Sequence, residues 1–179
     1  LLLFTLRKKL FHRLWDHPHL YGHLKRCVTR GVYDKDIFSW YEKKDFDRME
    51  YWLKHDRDYL FTYAGLRQVI DKYLVQDRTT GKVFETPQFM YMMIAATVFA
   101  KYPRQTRMTY VKKYYDAIST FKINIPTPVM AGVRTPMRQY ASCVLIDVDD
   151  TLPSIFASDM AIGRYTAQRA GIGINVGRI

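Results

Sequence analysis

The chain has 179 residues, 48% of them hydrophobic, and 28 Lys and Arg against 17 Asp and Glu give it a net charge of +11. That length suits one domain or two small ones with a sizeable core, and that apolar share excludes a disordered tail. The charge favours anionic partners (nucleic acid, nucleotides or an acidic protein surface), but apart from small knots at Arg7-Lys8-Lys9 and Lys112-Lys113 it is spread along the chain, which a solvated basic face also explains.

The longest apolar run, Phe89 to Ala100, is interrupted by Thr97 and bounded by Pro87 and Lys101, short of the roughly 20 residues that span a bilayer. No membrane partner is expected. The opening LLLFTLRKKL places its charges after its apolar stretch, the reverse of a secretory signal. The chain does not begin with Met, and its front end reads as cut, processed or incomplete. Two cysteines, Cys27 and Cys143, are too few for a disulfide framework and suit a reducing cytoplasm.

In chain order, Leu3, Leu6, Leu10 and Leu14 recur at helical spacing before Pro18 and Gly22 interrupt. A short helix is predicted over His23 to Arg30, ending at Gly31. Ser39 and Glu42 have the spacing of a capping box, predicting a helix to about Leu53. Tyr73-Leu74-Val75 and Lys82-Val83-Phe84 flank Asp77-Arg78-Thr79-Thr80-Gly81, the composition of a β-hairpin. Thr86-Pro87 then opens a helix to about Lys101, and another covers roughly Gln105 to Ser119. The proline-rich segment Ile123 to Pro136 separates this mostly helical part from an unlike one. There, a strand over Gln139 to Ile146, a helix from Leu152 to Arg169 capped by Asp150 or Thr151, and a strand over Ile172 to Val176 predict a βαβ unit with parallel pairing. Ligands of such units gather at strand ends and at the helix amino terminus, which singles out Cys143 and Asp150 by position.

On residue type alone the candidate chemistry is modest. His12, His17, His19 and His23 lack a companion motif of metal-ligand spacing, and Pro18 breaks any helix that would align them, so no metal site is expected. His55-Asp56-Arg57-Asp58 reads as a surface ion-pair network at a helix end rather than an acid/base cluster. Gly171-Ile172-Gly173-Ile174-Asn175-Val176-Gly177 lacks the Lys and Ser or Thr of a phosphate loop, leaving close backbone packing and ligand approach both open. Cys27 and Cys143, taken alone, each read as packing.

Longer motifs change that reading. Thr127-Pro128-Val129-Met130-Ala131-Gly132-Val133-Arg134-Thr135-Pro136, followed by Arg138-Gln139-Tyr140-Ala141-Ser142-Cys143, resembles the large subunit of class I ribonucleotide reductases. Gln168 to Asn175, Arg178-Ile179, His55 to Asp58, Lys72 to Gln76 and Tyr114 to Lys122 resemble the same family in the same order, so the likeness covers essentially the whole chain. It implies an α/β fold overall: a mostly helical domain with a β-hairpin over residues 1–124, then over 125–179 the first βαβ portion of a ten-stranded α/β barrel.

The resemblance also implies a reaction, replacement of the ribose 2′-hydroxyl of a nucleoside diphosphate by hydrogen, in the biosynthesis of deoxyribonucleotides for DNA replication. Cys143 matches the family's first redox thiol, which pairs with a second cysteine absent from this chain. Thr127 matches a residue that binds the substrate diphosphate, Ser142 a neighbour of the redox cysteine, and Gly171 a position where backbone approaches substrate. Asp150, Thr151 and Leu152 match the start of an allosteric specificity site that takes ATP or a deoxynucleotide at the large-subunit dimer interface. That makes the helix from Leu152 a candidate dimer element.

Implied partners are the remainder of the large subunit, a dimer partner, a metal-containing small subunit that supplies the radical, and a thioredoxin- or glutaredoxin-type reductant. No cofactor is expected on this chain itself. The family's amino-terminal ATP cone and the regions of its thiyl-radical and remaining redox cysteines have no counterpart in these 179 residues, so no turnover is expected from the chain alone. The alternative, resting on charge and 14 Tyr, is a basic nucleic-acid-binding or structural module without catalysis.

Overall fold

The computed structural model describes residues 1–12, 16–77, 79–138, 140–168 and 170–179. It forms two compact units, Leu1–Arg138 and Gln139–Ile179.

The first unit is helical: α1 (Leu2–Phe11), α2 (Leu20–Thr29), α3 (Ile37–Trp40), α4 (Lys43–Trp52), a 3₁₀ segment over His55–Leu60, α5 (Tyr63–Gln68) running into a π-helical turn over Val69–Tyr73, α6 (Pro87–Val98), α7 (Arg104–Ser119) and α8 (Thr127–Gly132). Its hairpin is short, β1 (Gln76–Asp77) against β2 (Lys82–Val83), antiparallel. The predicted Tyr73 and Leu74 belong to the π-turn and its end instead. Gly81, at φ +68°, supplies the left-handed residue of the loop, and the Asp77 carboxylate accepts from the Thr79 N–H at 2.9 Å. The predicted loop residue Arg78 lies outside the described residues, as does Leu14 of the first helical repeat.

α6 is the centre of this unit. Every residue from Pro87 to Ala96 is buried, as expected of a helix that is apolar all round. Thr86 caps it, accepting from the Phe89 N–H at 3.5 Å, with Pro87 in the first turn. The predicted capping box at Ser39 is not formed: Ser39 lies within α3 and donates to the Asp36 carbonyl. Asp45 serves α4 instead, its carboxylate accepting from the Glu42 N–H at 3.1 Å.

The unit extends to Arg138, past the expected boundary at 124/125, because Arg134 is sewn into its core. Arg134 and Glu85 form an ion pair with both side chains fully buried. Arg134 Nε donates to Glu85 Oε2 at 3.0 Å, and its guanidinium also donates to the carbonyls of Tyr73 and Met130. Glu85 accepts in addition from the Tyr33 hydroxyl and, at 2.7 Å, from the Val75 N–H. Arg134 returns a carbonyl to the Asp34 N–H at 3.0 Å. Burial opposes the guanidinium's charge, but Glu85 beside it raises the pKa of Arg134, and burial drives that of the Tyr33 phenol well up.

A second network lies under α1. Asp58, which the sequence suggested for the surface, is 1% exposed. It faces Arg7 at 3.5 Å and accepts from Gln88 Nε2 at 2.9 Å, while Gln88 accepts from the Tyr115 hydroxyl at 2.7 Å. Arg57 does pair toward the surface, with Asp116 at 2.8 Å. Beside Asp58, the rings of His17 and His55 stack with centroids 3.6 Å apart, and the buried Nδ1 of each has no hydrogen-bond partner among the described residues.

The second unit is β3 (Cys143–Asp149), α9 (Leu152–Ala167) and β4 (Gly171–Arg178), with β3 and β4 parallel and in register from Cys143↔Gly171 to Asp147↔Asn175. The predicted βαβ order and pairing are present. β3 starts and ends later than expected, and the predicted termini Gln139 and Arg169 lie outside the described residues. No helix among the described residues is long and apolar enough to cross a membrane.

Two stability predictions follow from these networks. Arg134→Met strands the Glu85 charge in the core and is expected to cost about 3–5 kcal/mol in denaturant unfolding; a loss under about 1 kcal/mol would show the pair to be dispensable. The second concerns pH. Burial, with Arg7 adding to it, lowers His17 to about 4, and burial, His17 and Arg7 lower His55 to about 3. Their contribution is whole above the unfolded pKa near 6.5 and is lost as pH falls through the folded values. Asp58, raised by burial to about 6, has the opposite sign: its contribution is present below the unfolded pKa near 3.8 and lost as pH rises through 6. Asp58→Asn should therefore steepen the loss of stability between pH 6.5 and 4, and replacing both histidines by Gln should flatten it, measured by denaturation at each pH.

Candidate functional site

The candidate residues fall into three groups. Thr127 belongs to the first unit, at the start of α8, where Pro126 and Pro128 hold the backbone. Its hydroxyl lies 3.3 Å from the Tyr73 hydroxyl. Both line a cavity of about 420 Å³ whose other polar walls are Gln68 and Asn124 and whose aromatic walls include Phe61 and Tyr91. Tyr73 is anchored in turn, because Arg134 donates to its carbonyl at 3.0 Å.

Ser142, Cys143 and Gly171 come together at one end of the second unit. Cys143 opens β3 with its side chain exposed, and the Ser142 hydroxyl is 3.8 Å from its sulfur. Gly171 is the register partner of Cys143 in β4, and its N–H donates to the Ser142 carbonyl at 2.8 Å. A Cβ on Gly171 would stand 3.4 Å from that carbonyl oxygen, so the backbones meet at ordinary contact distance. The glycine that is actually tight is Gly173, whose Cβ would come within 2.6 Å of Leu145 Cδ2. That methyl ends an 88% exposed side chain that can turn aside, so the contact does not require glycine there.

Asp150, Thr151 and Leu152 occupy the opposite end of the same strand. Six residue steps along β3 separate Cys143 from Asp149, roughly 20 Å at strand rise. Thr151 is the cap of α9, its hydroxyl accepting from the Ser154 N–H at 3.3 Å, while Ser154 Oγ accepts from the Asp149 N–H at 2.9 Å. Asp150 and Leu152 are exposed. Sequence reasoning passed over the polar residues beside this end. Asn175 Nδ2 donates to Asp147 Oδ1 at 2.9 Å, and Arg178 pairs with Asp149 at 3.1 Å. Parallel register was the signal that could have found them, since Asp147 and Asn175 are direct partners.

The two thiols are opposites. Cys27 is 2% exposed, its sulfur 3.5 Å from His23 Nε2, and burial pushes its pKa up to about 12. It is a packed thiol, inert at neutral pH. Among the described residues no group of three or more His, Cys, Asp or Glu could hold a metal ion.

Comparison with known proteins agrees with this helical unit. The family model described as ribonucleotide reductase, all-alpha domain, matches residues 59–138. The chain is 51% identical over all 179 residues to the ribonucleoside-diphosphate reductase 1 subunit alpha of Escherichia coli strain K12, covering 23% of that protein. It is 51% identical over 179 residues to the corresponding subunit alpha of Haemophilus influenzae, covering 24% of it. To the subunit alpha of Enterobacteria phage T4 it is 43% identical over 178 residues, 99% of this chain and 23% of the relative. The chain thus spans about a quarter of the length of the curated relatives it matches. The likeness runs unbroken across both units, so along its whole length the chain is similar to part of ribonucleotide reductase large subunits.

Proposed function

We propose that the chain supplies one redox thiol and part of the nucleotide-binding surface of a ribonucleoside-diphosphate reductase. The observation that carries this reading is the exposed sulfur of Cys143 at the first residue of β3, flanked by the Ser142 hydroxyl and the Gly171 edge. In the proposed reaction, the ribose 2′-hydroxyl leaves as water and two thiols become a disulfide. Each turnover consumes one ribonucleotide and two thiols and yields one deoxyribonucleotide, one disulfide and one water. Cys143 is one of the two thiols; the second comes from the remainder of the large subunit. A radical from the metal-containing small subunit initiates the exchange, and a thioredoxin- or glutaredoxin-type protein restores the thiols.

Ser142 and Gly171 orient the ribose beside the thiol, and Thr127, held by Tyr73, binds the substrate diphosphate. Mounting the sulfur on a paired strand suits hydrogen transfer, which demands closely held geometry. At the far end of β3, Asp150 accepts from a sugar hydroxyl of an ATP or deoxynucleotide effector, and the Thr151-capped start of α9 offers backbone donors to its phosphates. The second unit is read as the opening of the α/β barrel. Leu145, 88% exposed, and Ile174, 49% exposed, supply apolar strand surface for further elements to cover. Leu152, Phe156 and Met160, exposed at i, i+4 and i+8, make α9 the proposed dimer element. The setting is a reducing cytoplasm.

The tests act on the thiol. In the native chain a maleimide reagent at neutral pH is expected to modify Cys143 and spare Cys27, giving one modified thiol per folded chain and two per denatured chain. In the assembled reductase, Cys143→Ser is expected to lower deoxynucleotide formation at least 10³-fold, with substrate binding retained. The 179-residue chain alone is expected to give no product. Full activity of the serine variant would sink the assignment.

A further inference from the structure

The first unit carries a cavity of about 560 Å³ that none of the roles above uses. Three elements close it: the end of α1 with Lys9, α2 with Arg26 and its C-cap residue Arg30, and β2 with Lys82. All four side chains belong to exposed residues, and none makes an ion pair among the described residues. His12 adds a further nitrogen base to the rim, and no Asp or Glu lines the space. Leu10, Phe11, Val83 and the buried ring of Phe84 give the floor its apolar surface, with the buried His23 and Cys27 beside them. Two of the cations already face that ring: the Arg30 guanidinium carbon lies 5.7 Å from its centroid and Lys82 Nζ 6.0 Å.

Gathering like charges this way is unfavourable. Arg26 and Arg30 are four apart on one helical face and repel, and Lys82 is brought up to them from a different element. Helix ends explain part of the cluster: Lys9 sits in the last turn of α1 and Arg26 in the last turn of α2, where the carbonyl ends favour cations. They do not explain Lys82, which stands on a hairpin strand. A bound anion would offset the mutual repulsion of all four, and the guanidinium groups are suited to bidentate phosphate contacts. The volume lies within the range of small-molecule sites, and the combination of cationic rim and aromatic floor favours a ligand with phosphate at one end and a flat body at the other.

We propose that this cavity is a binding site for a small phosphorylated ligand with a planar body, separate in the chain from the effector residues proposed at Asp150 to Leu152. The phosphates take the arginines and Lys82, and the flat body covers Leu10, Phe11 and the Phe84 edge.

The test is a titration of the isotopically labelled full chain, followed by amide chemical shifts, with inorganic tripolyphosphate and with ATP as probes and a short single-stranded oligonucleotide as the control. Both are expected to give saturable shifts at Lys9, Arg26 to Arg30 and Lys82 to Phe84, with ATP at least threefold tighter because its ring adds contact with the floor. Raising salt from 50 to 200 mM should weaken both probes. The double variant Arg26→Glu/Arg30→Glu should abolish these shifts while its thermal unfolding midpoint stays within a few degrees of the parent. Thr151→Ala, which alters the other proposed site, should leave them unchanged, so that failure of one site is distinguishable from failure of the other. The proposal is overturned by any of three outcomes: no saturable shifts at these amides, shifts that persist in the double variant, or saturation only by an oligonucleotide, which would identify a nucleic-acid surface instead.

Discussion

The buried pair of Glu85 and Arg134 is the constraint on which the helical unit depends. Removing two charges from water costs several kcal/mol each, and the interior returns that only when every donor and acceptor is used. Here nearly all are. Glu85 accepts from Arg134, Tyr33 and the Val75 N–H, and Arg134 reaches the Tyr73 and Met130 carbonyls. Three stretches of the chain, at residue 33, over 73–85 and over 130–134, are thereby fixed by one cluster. Its consequence for the candidate site is direct: Arg134 holds the Tyr73 backbone, and the Tyr73 hydroxyl meets Thr127.

The network around Asp58 works on a different principle. It is partly unsatisfied: Nδ1 of His17, Nδ1 of His55 and Nε of Arg7 are buried with no partner among the described residues. A neutral imidazole tolerates this where an imidazolium would not, so the stacked histidines are held uncharged by their surroundings. Arg7 next to them reinforces that state, since a second positive charge would face it directly. Asp58, in the same pocket, offsets Arg7 at 3.5 Å while losing hydration. The unit thus contains one charge cluster held by pairing and one that relies on neutrality.

What the sequence made legible divides along the same line. Local signals were readable where the physics is local: Thr86-Pro87 opened α6, Gly81 turned the hairpin, Thr151 capped α9, and β-branched strand residues marked β4. The capping box at Ser39 misled because Ser39 is taken up in α3, and α4 starts from Glu42, whose N–H donates to Asp45 one turn in. Burial of Asp58 was illegible because its partners, Arg7 and Gln88, are 51 and 30 residues away. The same holds for Arg134, 49 residues from Glu85, whose burial carries the first unit past residue 124. For the candidate site, residue type alone favoured packing for both thiols. Only the longer motifs separated Cys143 from Cys27, and the exposure of one sulfur and burial of the other were not readable from residue type.

The βαβ unit sets its two candidate sites apart by construction. Strand register fixes Cys143 opposite Gly171 at one end and Asp147 opposite Asn175 toward the other, and a one-residue slip would turn every side chain to the opposite face. Ligand contact at the Asp150 end therefore cannot reach the sulfur by direct touch across roughly 20 Å of strand. Any influence between them has to pass through the pairing of β3 and β4 or through α9, whose cap binds the Asp149 N–H through Ser154. A short parallel pair covered by α9 on one face and open on the other is a weak transmitter by itself, because little packing resists its bending. Coupling of the two ends thus requires the apolar surface of Leu145 and Ile174 to be covered, so that a shift at the helix start moves a packed layer rather than a free strand.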